Sequence, residues 1–253
     1  MEQRFAGKTV VVTGASSGIG DGIARRFAAE GANVVLAARR KDRLDALAAE
    51  LGVHRALPVV TDVTSQDDVQ AMIEAGAARF GGIDVLVSNA GFGLAKEFEE
   101  TTAEDWRSIM STDVDSCFFG AQAALPYLKE SRGSIVQIAS ASGLGGDRRL
   151  NAYNAAKGAV VNFTRGLAFD LGRFGIRVNA IAPSLTLPEE AATAYAAMIE
   201  RFEQRRALTG FSTPADIAAA VGFLASDDAR FITGVILPVD GGITAGSAQP
   251  SLF

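Results

Sequence analysis

Tyr153-Asn154-Ala155-Ala156-Lys157 sets a phenol and an ammonium four residues apart. On a helix that spacing is one turn, so both groups share a face and the cation can favour the phenolate. A free phenol has a pKa of about 10, and each unit of depression corresponds to about 1.4 kcal/mol of preference for the anion. A phenol so placed can give a proton to a carbonyl oxygen or take one from an alcohol. Ser140 stands thirteen residues earlier, at the end of an apolar run, where its hydroxyl can bond the same oxygen and hold the reacting carbon in line.

A second constellation lies near the start of the chain. Thr13-Gly14-Ala15-Ser16-Ser17-Gly18-Ile19-Gly20 follows an apolar run and opens a segment with Ile19, Ile23 and Phe27 four apart. At the start of a helix, free N–H groups and the helix dipole favour an anion, so this turn is a phosphate cradle by position. Glycine at 14, 18 and 20 removes the Cβ atoms that would block a pyrophosphate, although G-x-x-x-G-x-G departs from the G-x-G-x-x-G fingerprint. The same stretch also fits a G-x-S-x-G nucleophile elbow at 14–18. A serine hydrolase is rejected because the elbow follows the first strand and the only histidine, His54, comes too early to complete a triad.

Twenty residues on, Val34-Val35-Leu36-Ala37-Ala38 runs into Arg39-Arg40. Dinucleotide folds that prefer NAD place an acid there for the ribose 2′-hydroxyl, whereas an arginine accommodates a 2′-phosphate. Ala38 takes the acid's place, and Arg39, with Arg40 and Ser16, can make charge-assisted bonds to that phosphate. The cofactor expected is NADP(H).

The elements that must carry these groups follow from hydrophobic period. Strands are predicted at 9–12, 33–37, 56–60, 83–87, 134–138, 177–181 and 235–239. Helical segments are predicted from the glycine turn, at 42–51 and 65–80, from Thr102 to about 126, and at 152–174, 188–208 and 214–225. Strict alternation of apolar strands and helices implies a doubly wound α/β fold, a parallel sheet of about seven strands covered on both faces. No linker or repeat divides the chain, so 1–253 reads as one dinucleotide-binding and catalytic domain. The aperiodic tail at 243–253 needs a neighbouring subunit or a lid to fix it.

The 253 residues are 48% hydrophobic and 21% charged, the balance of a soluble globular protein, with a formal charge of −5. That charge gives no attraction to phosphate backbones, so nucleic acid is not an expected partner. A single cysteine, Cys117, and a single histidine exclude an internal disulfide and a Cys/His zinc cluster, and no metal is expected. No signal-peptide pattern opens the chain and no apolar run approaches the roughly 20 residues of a membrane span, so no membrane association is expected and the cytoplasm is the expected compartment.

Taken together, the T-G-x-x-x-G-x-G turn, Asn89-Ala90-Gly91, Ser140, Tyr153-x-x-x-Lys157 and Arg177-Val178-Asn179-Ala180-Ile181-Ala182-Pro183, in this order, resemble the short-chain dehydrogenase/reductase family over about 7–242. The resemblance implies an oxidoreductase that moves a hydride between a nicotinamide cofactor and a ketone or secondary alcohol. It assigns Ser140, Tyr153 and Lys157 to catalysis and has Lys157 also bond the nicotinamide ribose. By the same resemblance Asp62 and Val63 contact the adenine, Asn89, Ala90 and Gly91 the adjoining ribose side, and Thr186, beyond Pro183, the carboxamide. A lid over the substrate is implied at 184–211, with Ala191, Tyr195, Met198, Ile199 and Phe202 along one helical face. Phe92, Leu94, Leu144, Leu150 and Leu185 are further candidate walls, which points to a carbonyl with apolar substituents. Arg148 and Arg149 read as exposed loop arginines. A homotetramer or homodimer is implied as well.

The sequence departs from the family at Asp113, where an asparagine is usual, and at Ser116, where glycine is usual. An ionised Asp only accepts hydrogen bonds, and near Lys157 it raises the lysine pKa while offsetting the pull on Tyr153. Asp113 is expected to keep a structural and proton-relay role within the catalytic set. Since fold does not fix function, a noncatalytic NADP-binding sensor or regulatory subunit and a net nonredox epimerase are the competing readings.

Overall fold

The computed structural model describes residues 3–247. In chain order the elements are β1 (Thr9–Thr13), α1 (Gly18–Ala29), β2 (Asn33–Ala38), α2 (Lys41–Leu51), β3 (Ala56–Val60), α3 (Gln66–Phe80) and β4 (Val85–Ser88). They continue with α4 (Ala103–Met110), α5 (Ser116–Ser131), β5 (Ser134–Ile138), α6 (Asn151–Leu171), β6 (Arg177–Pro183), α7 (Ala196–Glu203), α8 (Pro214–Ala225) and β7 (Ile236–Val239). The seven strands form one parallel sheet in the order β3-β2-β1-β4-β5-β6-β7. It is the doubly wound α/β sheet that the alternation of apolar runs predicts.

Alternate residues of each strand feed opposite cores. Val10, Val12, Val34 and Leu36 pack with Ile23, Phe27, Ile217 and Leu224 of α1 and α8. Val11, Val35 and Leu86 pack with Met72, Ile73, Leu128 and Leu171 of α3, α5 and α6. Strands buried on both faces need no polar alternation, which is why they read as continuous β-branched runs. Because the strand order runs outward from β1 in one direction and from β4 in the other, the crossovers diverge and leave a crevice at the carboxyl ends of these two strands.

Three segments differ from the sequence expectation. The segment predicted as one helix from Thr102 is interrupted by a π turn over Ser111–Asp115, and α5 then runs through Pro126 to Ser131. Pro126 forfeits one helix bond, yet Ala123, Ala124 and Leu128 on either side of it are buried, and packing outweighs propensity. The helix predicted over 188–208 is only a short 3-10 turn, Glu189–Ala191, followed by the eight-residue α7, none of whose side chains is buried. A short helix with little tertiary support does not propagate. The strand predicted at 83–87 begins later, at Val85, because Asp84 is used to tie the sheet's start: its carboxylate accepts from the Thr9 amide at 2.8 Å and from Lys8 at 2.9 Å.

The start of the predicted tail is held by Asp240, which accepts from the Gly242 amide, the Thr244 amide and the Thr244 hydroxyl at 2.8, 2.9 and 2.6 Å. Residues 248–253 of that tail lie outside the described residues. Among the described residues no helix is long and apolar enough to cross a membrane.

Candidate active site

The crevice opens into a cleft of about 990 Å3. Of the residues singled out in the sequence, Gly14, Ser16, Ser17, Ile19 and Gly20 line it from the glycine turn, and Arg39, Arg40, Asp62 and Val63 from the ends of β2 and β3. Asn89, Ala90 and Gly91 line it beyond β4, and Ser140, Tyr153, Lys157, Pro183 and Thr186 close the far side. Two of the residues assigned to catalysis or the cofactor do not reach it. Gly18 opens α1 with a left-handed φ of 57°, and Asp113 is fully buried behind the wall.

The glycine turn is closed by an interlock between β1 and β4. The Thr13 hydroxyl accepts from the amides of Asn89 and Ala90 at 2.9 and 3.0 Å, and the Asn89 side chain donates to the Thr13 carbonyl at 2.8 Å. A Cβ at Gly14 would lie 2.7 Å from Asn89 Nδ2, and one at Gly20 would strike the Gly14 carbonyl oxygen. Only glycine permits this approach. Ser17, the N-cap of α1, makes no side-chain cap bond, so the first amides of the helix are left for an anion. The bare backbone, the helix start and the arginines beside them fit a dinucleotide's phosphates. Arg40 reaches back over the turn, donating to the Ser16 and Ser17 hydroxyls at 2.9 and 2.7 Å. Asp62 is held below the usual carboxylate range by the Thr64 amide and hydroxyl, with Arg39 contributing.

On the far side Ser140 follows β5, and its Oγ accepts from the Ser142 amide at 3.1 Å. Tyr153 lies on the first turns of α6, half-buried, with Lys157 one turn on and its Nζ 5.6 Å from the phenol ring's centre. The lysine side chain is 5% exposed; its Nζ donates to the Ile138 carbonyl at 2.9 Å and stands 3.2 Å from Asp113 Oδ2. Asp113 Oδ1 accepts from the Phe92 amide at 3.0 Å. Burial is the largest single influence and works to lower the lysine's pKa, but Asp113, with Tyr153 and Cys117 adding to it, together turn the net direction upward. Asp113 does not mirror this: burial pushes its pKa up, against the pull of Lys157 and the Phe92 amide. Neighbouring Cys117 is fully enclosed, and burial raises its thiol to about 11.

Some cleft residues escaped the sequence reading. Ser108, Ser111 and Thr112 present hydroxyls from α4 and the π turn, a spacing of three and four that could have been read as one helical face. Thr13 was visible in the motif as well, but its role depends on Asn89, 76 residues away. Of the apolar walls expected for the substrate, only Phe92 lines the cleft. Leu94 is instead packed with Ile109, Ala152 and Ala156, and Leu144 points partly to solvent. No residue of α7 lines the cleft either, and Tyr195 and Met198 are exposed.

Residues 14–244 match the family model described as enoyl-(acyl carrier protein) reductase. The chain belongs to the short-chain dehydrogenase/reductase family. This dehydrogenase/reductase is 46% identical to the meso-2,3-butanediol dehydrogenase of Serratia marcescens, over 98% of its own length and 99% of the relative's. It is 39% identical to the cis-4-hydroxycyclohexanecarboxylate dehydrogenase of Sinomonas cyclohexanicum, over 97% and 100%. Among solved structures, a short-chain dehydrogenase/reductase of the glucose/ribitol dehydrogenase type from Brucella melitensis superimposes with a TM-score of 0.88 at 38% identity, over 96% and 99% of the two chains. The enzyme is thus an oxidoreductase of the alcohol-dehydrogenase type, from a family that works with a nicotinamide cofactor.

Proposed function

We propose that this enzyme transfers a hydride between NADP(H) and a ketone or secondary alcohol, with Tyr153 as the acid and base. The observation that carries the reading is that Ser140, Tyr153 and Lys157 line the same cleft as the glycine turn. The nicotinamide, when bound, supplies or takes up the hydride. Tyr153 gives its proton to the carbonyl oxygen in reduction and takes one from the alcohol in oxidation. Ser140 donates a hydrogen bond to that oxygen and fixes its position. Lys157 bonds the nicotinamide ribose, while Thr186 and Pro183 meet the carboxamide.

Arg39 and Arg40 take the 2′-phosphate, which an acid in place of Ala38 would repel, and Ser16 adds a hydroxyl. Asp62 and Val63 receive the adenine, with Asn89, Ala90 and Gly91 on the ribose side. The chain works as one domain, with 184–211 as a lid above the substrate, in a cytoplasmic homotetramer or homodimer. The names of the relatives point to secondary alcohols carrying a second polar group, including vicinal diols.

Oxidation of NADPH and of NADH is followed against ketones, diketones, 3-oxo esters and 4-oxocyclohexanecarboxylate, with the reverse reaction on 2,3-butanediol. Turnover is expected with NADPH, and Tyr153→Phe is expected to lower it by about 10²–10⁴-fold while NADPH still binds. Full activity in Tyr153→Phe would remove the tyrosine from its role. Binding without turnover across the panel transfers the fold to a sensor, and conversion without net loss of NADPH transfers it to an epimerase.

A further inference from the structure

The charges behind the tyrosine are arranged in an uncommon way. Lys157 is enclosed, and the charge nearest its ammonium is the carboxylate of Asp113, at 3.2 Å, itself without solvent exposure. The π turn over Ser111–Asp115 is what brings that carboxylate there, since its wider winding alters the direction of the helix face at Asp113. Gly91 is needed to admit it, because a Cβ at 91 would lie 2.8 Å from Asp113 Oδ2. Oδ1 is fixed by the Phe92 amide, whereas Oδ2 accepts no hydrogen bond among the described residues and stands 3.2 Å from the ammonium. The carboxylate is therefore aimed at the lysine and committed to it.

A lone buried ammonium projects a full positive charge toward the phenol. A close ammonium–carboxylate pair has no net charge, and its field falls off far faster with distance. The other titratable groups facing the pair add no compensating charge: Tyr153 from α6 is the reacting group, Cys117 from α5 is a thiol, and Asp115 of the π turn faces solvent. Among the described residues, Lys157 is the charge that pulls on Asp113.

We propose that Asp113 is a positioning residue that holds the Lys157 ammonium in a neutral pair, so that at neutral pH the site is set for carbonyl reduction and alcohol oxidation starts only under alkaline conditions. The inference rests on the proposed role of Tyr153 and concerns how that site is regulated by pH. In reduction the phenolic proton goes to the carbonyl oxygen as the hydride reaches the carbon. Oxidation needs the phenol already deprotonated, and the paired lysine does little to promote that.

The test compares the parent enzyme with Asp113→Asn, which keeps the shape and removes the charge. Asp113→Ser, smaller and uncharged, serves if the amide variant does not fold. Two readouts are used: the pH at which alcohol oxidation reaches half its maximum, and the ultraviolet absorbance of the Tyr153 phenolate, taken as the difference from a Tyr153→Phe background. Removing the carboxylate is expected to move both midpoints toward acid by about one pH unit or more, the size of effect of an opposite charge within 4–6 Å. The ratio of oxidation to reduction at neutral pH should rise by about tenfold. Midpoints that stay in place, or move toward alkali, in a folded variant overturn the proposal. If no carbonyl is turned over but the phenolate midpoint still moves, the functional reading fails and the role of the pair stands.

Discussion

The two sides of the cleft are built by different means. On the cofactor side, contacts are made by backbone and short side chains whose positions are sterically forced: Thr13 interlocks with Asn89 and Ala90, and Gly14 and Gly20 have no room for a Cβ. On the substrate side, the segment that should cover the reaction carries α7 without one buried side chain. The loop before α6 is tied outward by Arg149 to Glu97 at 3.0 Å, both more than half exposed. Exposed pairs of that kind contribute little. The cofactor side is therefore sterically fixed and α7 is lightly packed, with the loop before α6 in between, since the Lys96 amide also donates to the Arg149 carbonyl at 2.8 Å.

The largest effect expected from this contrast is at Gly20. A methyl there meets a backbone oxygen, which cannot swing aside, and Asn89 Nδ2 at 2.6 Å. Gly20→Ala should cost close to the upper end of the roughly 1–3 kcal/mol usual for overpacking. Since Asn89 would be displaced from the cradle, NADPH affinity should fall about a hundredfold. Urea unfolding and a fluorescence titration with NADPH read the two effects, and parental behaviour in both would break the claim that this side is sterically fixed.

Next come the arginines. Losing one charge-assisted bond to a phosphate costs about 1.5–3 kcal/mol, so Arg39→Ala and Arg40→Ala should each raise the KM for NADPH by about tenfold to a hundredfold and leave NADH unchanged. Arg40 also braces Ser16 and Ser17. If Arg40→Ala weakens both cofactors alike, that arginine is a strut of the glycine turn and Arg39 alone reads the phosphate.

This asymmetry also explains what could be read in the sequence. The seven strands, the glycine turn and Tyr153 with Lys157 are local patterns, since each depends on period, on φ freedom or on one helical turn. The Thr13–Asn89 interlock and the Asp113–Lys157 pair join residues 76 and 44 positions apart, and no local pattern fixes such distances. The π turn escaped because its extra residue only shifts the phase of the apolar period, and no residue type marks where the shift occurs. The 188–208 helix was over-read because Tyr195, Met198, Ile199 and Phe202 have the spacing of a buried face, while in the structure Ile199 and Phe202 are only half-buried and Tyr195 and Met198 are exposed. Leu94 went the other way, as an apolar residue next to the site that serves the core.

A smaller effect tests whether the approach to α4 shares the rigidity of the cofactor side. Asp105 closes a capping box with Thr102 and also takes Lys96 at 2.7 Å. The Lys96 ammonium and the Thr102 amide and hydroxyl lower its pKa from 3.8 to about 2. A carboxyl depressed in the folded state stabilises fully above its ordinary pKa and loses that contribution as the pH falls through the folded value. Melting temperature should therefore decline between about pH 4 and pH 2, and Asp105→Asn should flatten that part of the curve. An unchanged slope would mean that the 91–101 loop is held by other contacts.

The smallest effect is expected at the lid, and there the expected result is that stability does not change. Met198 and Tyr195 are 43% and 44% exposed, so Met198→Ala and Tyr195→Ala should each alter unfolding free energy by less than about 0.5 kcal/mol. If 184–211 covers the substrate, the same variants should raise the KM for bulky ketones and leave that for small ones alone, because only a large substituent reaches α7. A marked loss of stability would mean that α7 already packs on the domain. The two sides of the cleft would then be alike in rigidity, and their difference would lie only in which residues they present.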